Sequence, residues 1–173
     1  MRVLVQEVKK ASVTIEEKVY SAIGKGFLLF VAFTEGDDEE TLKKMRDKVL
    51  KLRIFPDNNG KTNLSLGQVG GEILSVSQFT LYGEVKEGNR PSFVKSMKPD
   101  EARVLFALWN NLLKEKMPSL KTGVFQADMQ VELINDGPFT LWLDSKELFN
   151  RGLYEKESVI GPFWWSGLCY CGL

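Results

Sequence analysis

The sequence has no histidine and only two cysteines among its 173 residues. The absence of histidine excludes Ser-His-Asp and Cys-His catalytic groups, histidine-ligated zinc and histidine as a general base. The two cysteines, Cys169 and Cys171, are too few and too close together for the disulfide framework of a secreted protein. Any catalysis must therefore use other groups, and a reducing compartment is expected.

The sequence also lacks long hydrophobic runs and an excess of one charge. No apolar run reaches the roughly 18 residues that a membrane span needs, and Gln6 and Glu7 interrupt the N-terminal segment before a signal-peptide core could form. The 23 Lys and Arg balance the 23 Asp and Glu. Zero net charge argues against wrapping a long phosphate backbone but leaves open a contact with one nucleic-acid end. We expect a cytoplasmic protein with no membrane partner.

The length and the 43% hydrophobic content indicate one globular domain, and much of it reads as strands. Alternating residues around Lys9-Lys10 predict an opening hairpin with its turn at the lysines. The apolar run 27–33 predicts a central strand covered on both faces, and 73–81 predicts a second apolar strand after a glycine pair. Two further strands are predicted at 129–134 and 139–143.

Two amphipathic helices are predicted between these strands. The first follows the acidic segment 37–40 and places Leu42, Met45 and Val49 on one face. The second runs from Pro99 to Pro118. The element order is βββαβαββ with extra short strands, which predicts a mixed α/β fold with largely antiparallel sheets and two main helices.

Residues 146–173 differ from the rest of the chain, because they crowd aromatic residues and both cysteines without any period. We therefore predict a domain at 1–145 and an atypical C-terminal tail at 146–173. The tail is either a partner-binding or dimer-capping segment or a non-native or poorly ordered extension, and its exposed aromatics favour the second interpretation.

Two polar segments could carry chemistry. Hydroxyl and amide side chains occupy 75–80 at the end of an otherwise buried strand, and Asp136-Gly137-Pro138 follows a later strand. Each segment alone has an ordinary structural explanation, namely hydrogen bonds to neighbouring strands for the first and a simple turn for the second.

In combination these segments are more specific. Five segments follow one another in a fixed order: 77–81 (SQFTL), 88–93 (GNRPSF), 122–129 (TGVFQADM), 135–140 (NDGPFT) and 143–145 (LDS). Together they closely resemble the D-aminoacyl-tRNA deacylase family, first described as D-tyrosyl-tRNA deacylases. The resemblance runs from Met1 to about Ser145.

The resemblance implies a homodimer with two active sites at the subunit interface. Each site would combine the Ser-Gln-Phe-Thr segment of one chain with the Gly-Pro segments of both chains, the Gly-Pro bond being cis. The implied catalytic residues are Ser77, Gln78, Phe79 and Thr80. The implied substrate-binding residues are Gly137, Pro138, Thr140, Met129 and Phe125.

The implied reaction is hydrolysis of the ester between a D-amino acid, or glycine, and the 3′-terminal adenosine of tRNA, a proofreading step in translation. The backbone amides around Phe79 and Thr80 would hold the carbonyl or oxyanion, and Gly137-Pro138 would reject an L side chain. Attack by water assisted by the ribose 2′-hydroxyl is preferred to attack by Thr80, because no base activates that threonine. No metal or cofactor is expected, since no cluster has metal-ligand spacing.

Two alternatives remain open from the sequence. One is a protein of the same fold that binds a tRNA or another nucleic-acid end without turnover. The other is a related deacylase with relaxed chirality that acts on L-alanyl-tRNA.

The chain departs from the family pattern at two positions. Glu7 stands where members usually carry a basic residue, near the expected interface, and this bears on the geometry and chiral strictness of the Gly-Pro segment. Gln126 stands where members usually carry glycine, near the expected adenosine pocket, and this bears on substrate affinity.

Overall fold

The structure is a computed structural model that describes residues 1–149. Within that range it has eight strands, three α-helices and one 3₁₀ helix. The elements are β1 Arg2–Ile15, β2 Lys18–Ile23, β3 Gly26–Ala32, α1 Glu39–Leu50, β4 Arg53–Pro56, β5 Thr62–Ser65, β6 Glu72–Ser77, the 3₁₀ helix Phe79–Tyr82, α2 Pro99–Lys116, β7 Lys121–Thr122, β8 Gln130–Asp144 and α3 Ser145–Phe149. The predicted mixed α/β class is confirmed.

The main sheet has six strands and is organised around β1. β8 pairs along almost the whole of one edge of β1, while β3 and β2 share the other edge, and all three pairings are antiparallel. β3 then pairs with β6, and β6 with β7, in parallel. β4 and β5 form a separate hairpin that turns at 57–60.

The predicted turn at Lys9-Lys10 is wrong. β1 continues through both lysines, and the chain turns later, at Glu16 and Glu17, whose φ angles are 48° and 61°. The pairing of β1 with β8 shifts register on both sides of Val8, so two consecutive side chains point to solvent. This irregularity breaks the alternation in the sequence and resembles a turn signal.

Two other strand boundaries also differ from the prediction. The strand predicted at 73–81 ends at Ser77, and the chain turns out of the sheet into the 3₁₀ helix. The two strands predicted at 129–134 and 139–143 are one strand, β8, because both halves pair with β1. The Gly-Pro segment lies at the break between the two halves.

The two predicted helices are confirmed, and they cover one face of the sheet. Asp38 caps α1 by accepting from the Thr41 N–H at 2.8 Å. Trp109 of α2 is fully buried and donates to the Ser75 hydroxyl of β6 at 3.2 Å, which fixes α2 against that strand. α3 also packs against this core through Leu148 and Phe149. The rest of the tail lies outside the described residues, and none of the described helices is long and apolar enough to cross a membrane.

The contact between β3 and β6 requires glycine at position 26. Gly26 is paired with Glu72, and a Cβ at this position would lie 1.9 Å from the Glu72 carbonyl oxygen. At Gly24, two residues earlier, a Cβ would only touch the Glu72 carboxylate at 3.5 Å. The two glycines therefore offer a matched comparison.

We predict that Gly26→Ala lowers the free energy of unfolding by at least about 2 kcal/mol, because the added methyl group forces β3 and β6 apart. Gly24→Ala should cost less than about 1 kcal/mol. Urea denaturation of both variants measures the difference. Equal unfolding midpoints would contradict this account of the strand contact.

Candidate active site

The Ser-Gln-Phe-Thr segment lies where β6 leaves the sheet. Ser77 is the last residue of β6, and the Gln78 N–H donates to the Val31 carbonyl at 2.7 Å before the chain turns. The 3₁₀ helix begins at Phe79, so Gln78 is the only residue between the strand and the helix. This sharp exit holds the backbone of Gln78 and Phe79 against the edge of β3.

The first amides of the 3₁₀ helix are not used within the fold. Among the described residues, no hydrogen bond uses the backbone N–H of Phe79 or Thr80, whereas the N–H groups of Leu81 and Gly83 bond to Gln78 and Thr80 carbonyls. A helix start always leaves its first donors without an intrahelical acceptor. Two adjacent amides are thus available to an oxygen that carries negative charge.

The side chains around these amides carry no obvious base. Gln78 Nε2 donates to the Thr80 hydroxyl at 2.5 Å, and no carboxylate bonds that hydroxyl among the described residues. Phe79 is 56% exposed and packs edge-on against Phe93, with ring centroids 5.0 Å apart. Thr80 therefore lacks the activating partner that a nucleophilic hydroxyl needs.

A cavity of about 890 Å³ opens beside this segment. Its walls include Ser77, Gln78 and Phe79 from the strand exit, and Phe125 and Met129 from the segment between β7 and β8. Five of the nine residues predicted for the site thus line one cavity, although almost fifty residues of sequence separate the two groups.

The segment from β7 to β8 is held in place by close packing. The Gly123 N–H donates to the Ser75 carbonyl at 2.9 Å, and a Cβ at Gly123 would lie 2.8 Å from the Met129 sulfur. Glycine at this position lets Met129 reach the cavity wall.

Four predicted residues do not line this cavity within one chain. Thr80 lies beside the cavity, and the other three are Gly137, Pro138 and Thr140 of β8. The Gly137-Pro138 bond is cis, as the resemblance implied. Asn135 orders this part of β8, because its side chain accepts from the Phe139 N–H at 2.7 Å and donates to the Thr140 hydroxyl at 2.9 Å.

The residue before Gly137 faces a buried carboxyl group. Glu7 is only 4% exposed, and burial together with the nearby Asp136 carboxylate raises its pKa, while Lys25 acts in the opposite sense. Asp136 itself pairs with Lys9 at 3.5 Å. The sequence showed the unusual charge at position 7. Its burial follows from the alternation of β1, in which Glu7 continues the inward-facing positions of Val3 and Val5.

Sequence reasoning did not assign one wall of the cavity. Phe93 and Lys98 line it from the segment before α2, and Arg103 of α2 lies over the Phe125 ring at 5.0 Å. The GNRPSF segment signalled Phe93 through the family resemblance. Nothing in the helix pattern singled out Arg103, which reads as an ordinary exposed residue.

A family model described as D-Tyr-tRNA(Tyr) deacylase matches residues 4–144. The chain belongs to this family. The resemblance seen in the sequence is therefore confirmed over most of the chain.

Named relatives in the deacylase family support the same assignment. The chain is 52% identical over 147 residues to a D-aminoacyl-tRNA deacylase of Bacillus velezensis, covering 85% of this chain and 100% of the relative. It is 55% identical over 144 residues to that of Lactobacillus gasseri, covering 83% and 99%. These relatives are thus matched over essentially their whole length, while part of this chain is left unmatched.

Two solved structures share the fold. One is titled c-Myc DNA Unwinding Element Binding Protein and has a TM-score of 0.79 at 37% identity, covering 83% of this chain and 98% of that one. The other is a probable eukaryotic D-amino acid tRNA deacylase, with a TM-score of 0.73 and the same coverages. At 19% identity, the second similarity is evidence for the fold alone.

We predict that Glu7→Gln raises the melting temperature at neutral pH. Because the pKa of Glu7 is raised in the folded state, the folded protein holds this proton more tightly than the unfolded chain does, and stability falls as pH rises above the ordinary value of 4.5. The variant lacks this penalty, so its advantage should shrink as pH falls toward 4.5.

Thermal melts of both proteins between pH 4 and 8 measure this difference. Glu87→Gln, which removes an exposed carboxylate, is the control and should follow the wild type throughout. An advantage for Glu7→Gln that does not change with pH would show that packing, and not ionisation, is responsible.

Proposed function

We propose that this protein hydrolyses the ester between a D-amino acid, or glycine, and the 3′-terminal adenosine of tRNA. The observation that carries the proposal is the cavity in which Ser77, Gln78 and Phe79 meet Phe125 and Met129, in a chain that belongs to the deacylase family. In this proposal the adenosine occupies the Phe125 and Met129 side, and the ester carbonyl lies at the strand exit.

The catalytic step in this proposal uses the main chain and the substrate. An aminoacyl ester is already activated, so a positioned water and a site for the oxyanion suffice. The backbone amides of Phe79 and Thr80 supply that site, since nothing in the described fold uses them. Assisted by the ribose 2′-hydroxyl, the water oxygen bonds to the carbonyl carbon and gives a tetrahedral oxyanion. The oxyanion then collapses, the bond to the ribose 3′-oxygen breaks, and that oxygen receives the proton that the water loses.

Chiral selection in this proposal depends on a wall of main-chain atoms. Each tenfold preference for the D ester requires about 1.4 kcal/mol, and a hydrophobic pocket alone discriminates too weakly to spare L-aminoacyl-tRNA. Carbonyls of Gly137 and Pro138 would clash with an L side chain whatever its identity. Glycine has no side chain to clash, so glycyl-tRNA would also be cleaved.

The proposed site needs a second copy of the chain. Gly137, Pro138 and Thr140 do not line the cavity of their own chain, so in this proposal the partner subunit supplies its Gly-Pro segment. A surface suitable for such a contact exists. Leu4 pairs laterally with Phe30 and Trp142, which places all three on the sheet face opposite the helices, and Trp142 is 44% exposed.

Residues 1–145 form the catalytic domain in this proposal, and 146–173 form a tail that the reaction does not require. The relatives named above leave part of this chain unmatched, which is consistent with that division. The proposed partner, aminoacyl-tRNA, places the activity in the cytoplasm.

A nucleic-acid-binding function without turnover is the second candidate. It is favoured by the solved structure named for binding a DNA unwinding element, which is 37% identical to this chain. Relaxed chirality toward L-alanyl-tRNA is a third outcome to test, because Glu7 lies beside Asp136 and thus next to the segment that is proposed to select chirality.

We predict that Trp142→Glu produces a monomer and abolishes most of the activity. The charge would have to be buried in the proposed contact between copies, and the cavity would lose its partner's segment. Light scattering at micromolar concentration, together with a deacylation assay, tests both effects. Val104→Glu, at a position 66% exposed on α2, should remain dimeric and active. A monomeric wild type with full activity would defeat the shared site.

We predict that the protein cleaves D-Tyr-tRNA and Gly-tRNA and spares L-Tyr-tRNA and L-Ala-tRNA. A substrate that ends in 2′-deoxyadenosine should react at least about 100-fold more slowly, since the assisting hydroxyl is missing. Thr80→Ala should cost less than about tenfold. Single-turnover rates on these esters measure each effect.

Attack by Thr80 would be supported if Thr80→Ala abolished cleavage while the 2′-deoxyadenosine substrate still reacted. Cleavage of the L-alanyl ester would indicate relaxed chirality. If no ester is cleaved although tRNA binds, the function is binding without turnover.

A further inference from the structure

Gln126 adopts a backbone conformation that favours glycine. Its φ is +64°, in the left-handed region, where a side chain is disfavoured. Its side chain makes a specific contact: the side-chain oxygen accepts a hydrogen bond from the Arg103 guanidinium. The energetic cost of this conformation is therefore accompanied by a specific side-chain contact.

The same guanidinium also contacts the cavity wall. Arg103 lies over the Phe125 ring, 5.0 Å from its centroid, and Phe125 packs against Phe106 of α2, with centroids 6.0 Å apart. Arg103 thus joins two consecutive residues of the β7–β8 segment to α2. We name this arrangement the Arg103–Gln126 clasp: the hydrogen bond to Gln126 together with the stacking on Phe125.

We propose that the Arg103–Gln126 clasp is a positioning device that fixes the Phe125 ring in the cavity wall and so sets the affinity for the terminal adenosine. The inference rests on the proposed function, in which Phe125 borders the adenosine. Arg103 does not line the cavity, so it acts through Phe125 and Gln126, which do line it, and touches no reacting atom. Its loss should weaken binding and leave the chemical step unchanged.

The expected size of the effect follows from the contacts. A cation stacked on an exposed aromatic ring contributes enough to change an equilibrium about two- to fivefold. Arg103→Ala and Gln126→Ala should each raise KM for D-Tyr-tRNA by about that factor, with kcat within twofold of wild type. Because both changes break the same arrangement, their effects should not add. The KM of the double variant should lie within about twofold of the higher of the two single-variant KM values.

Gln126→Gly separates positioning from general stability. Glycine relieves the left-handed backbone but also removes the clasp, so its melting temperature should lie about 2–4 °C above that of Gln126→Ala while both variants show the same raised KM. A purely structural role predicts that KM follows stability across these variants. Lys114→Ala, which removes another exposed cation of α2, is the control and should leave KM unchanged.

Binding of adenosine 5′-monophosphate, measured by titration calorimetry, separates this proposal from the reaction. A wild type that cleaves no ester contradicts the proposed function, but weaker AMP binding by Arg103→Ala than by wild type would still support the clasp. An unchanged KM and an unchanged AMP affinity in Arg103→Ala would overturn the clasp while the proposed function stands. Failure of the wild type to bind AMP would also overturn it.

Discussion

The parallel pairing of β6 with β3 is the contact on which the candidate site depends. It brings Gly26 against the Glu72 backbone at a distance that excludes any side chain, and it continues in register to Val31 and Ser77. β6 ends there: the Gln78 N–H makes the last hydrogen bond to β3, at the Val31 carbonyl, and the 3₁₀ helix begins at Phe79. The position of the free amides is therefore fixed by the sheet.

Two further contacts transmit this position to the rest of the cavity. Trp109 reaches Ser75 from α2, and Gly123 reaches the carbonyl of the same residue from the β7–β8 segment. Ser75 is fully buried, so one residue of β6 anchors both the helix and the segment that carries Phe125. A shift of β6 would therefore move α2 and the segment that carries Phe125 together.

Much of the fold could be predicted from sequence because its signals are local. The acidic start and single apolar stripe of α1, the prolines at either end of α2 and the apolar run of β3 each reflect one element and its own solvent exposure. Two of the errors occurred where a strand departs from regular alternation. Lys9-Lys10 and the Gly-Pro segment both lie where β1 and β8 lose register, and an interruption of that kind gives the same local pattern as a turn.

The candidate site could be predicted only in part, because the sequence names its residues but does not show which of them meet. The family segments name the residues, but only the fold shows that Ser77 and Phe125 share a cavity while Gly137 and Thr140 do not. Arg103 escaped sequence reasoning because its partners, Phe125 and Gln126, are brought to it by the packing of α2. The sequence pattern gives the type and spacing of residues. A contact between segments that are distant in the sequence can be predicted only when the topology of the fold is known.

A site built mainly from backbone groups responds to mutation differently from one built on a reactive side chain. Only proline at position 79 would remove the amide of Phe79, and no substitution removes the carbonyl of Gly137, so the proposed chemistry is insensitive to most side-chain changes in the cavity. It is sensitive to the contacts that set the backbone: glycine at 26, the hydrogen bonds at Ser75 and the proposed contact between two copies. In the proposed mechanism, catalysis therefore depends on the accuracy of the fold, because a backbone donor is effective only within hydrogen-bond distance of the developing charge.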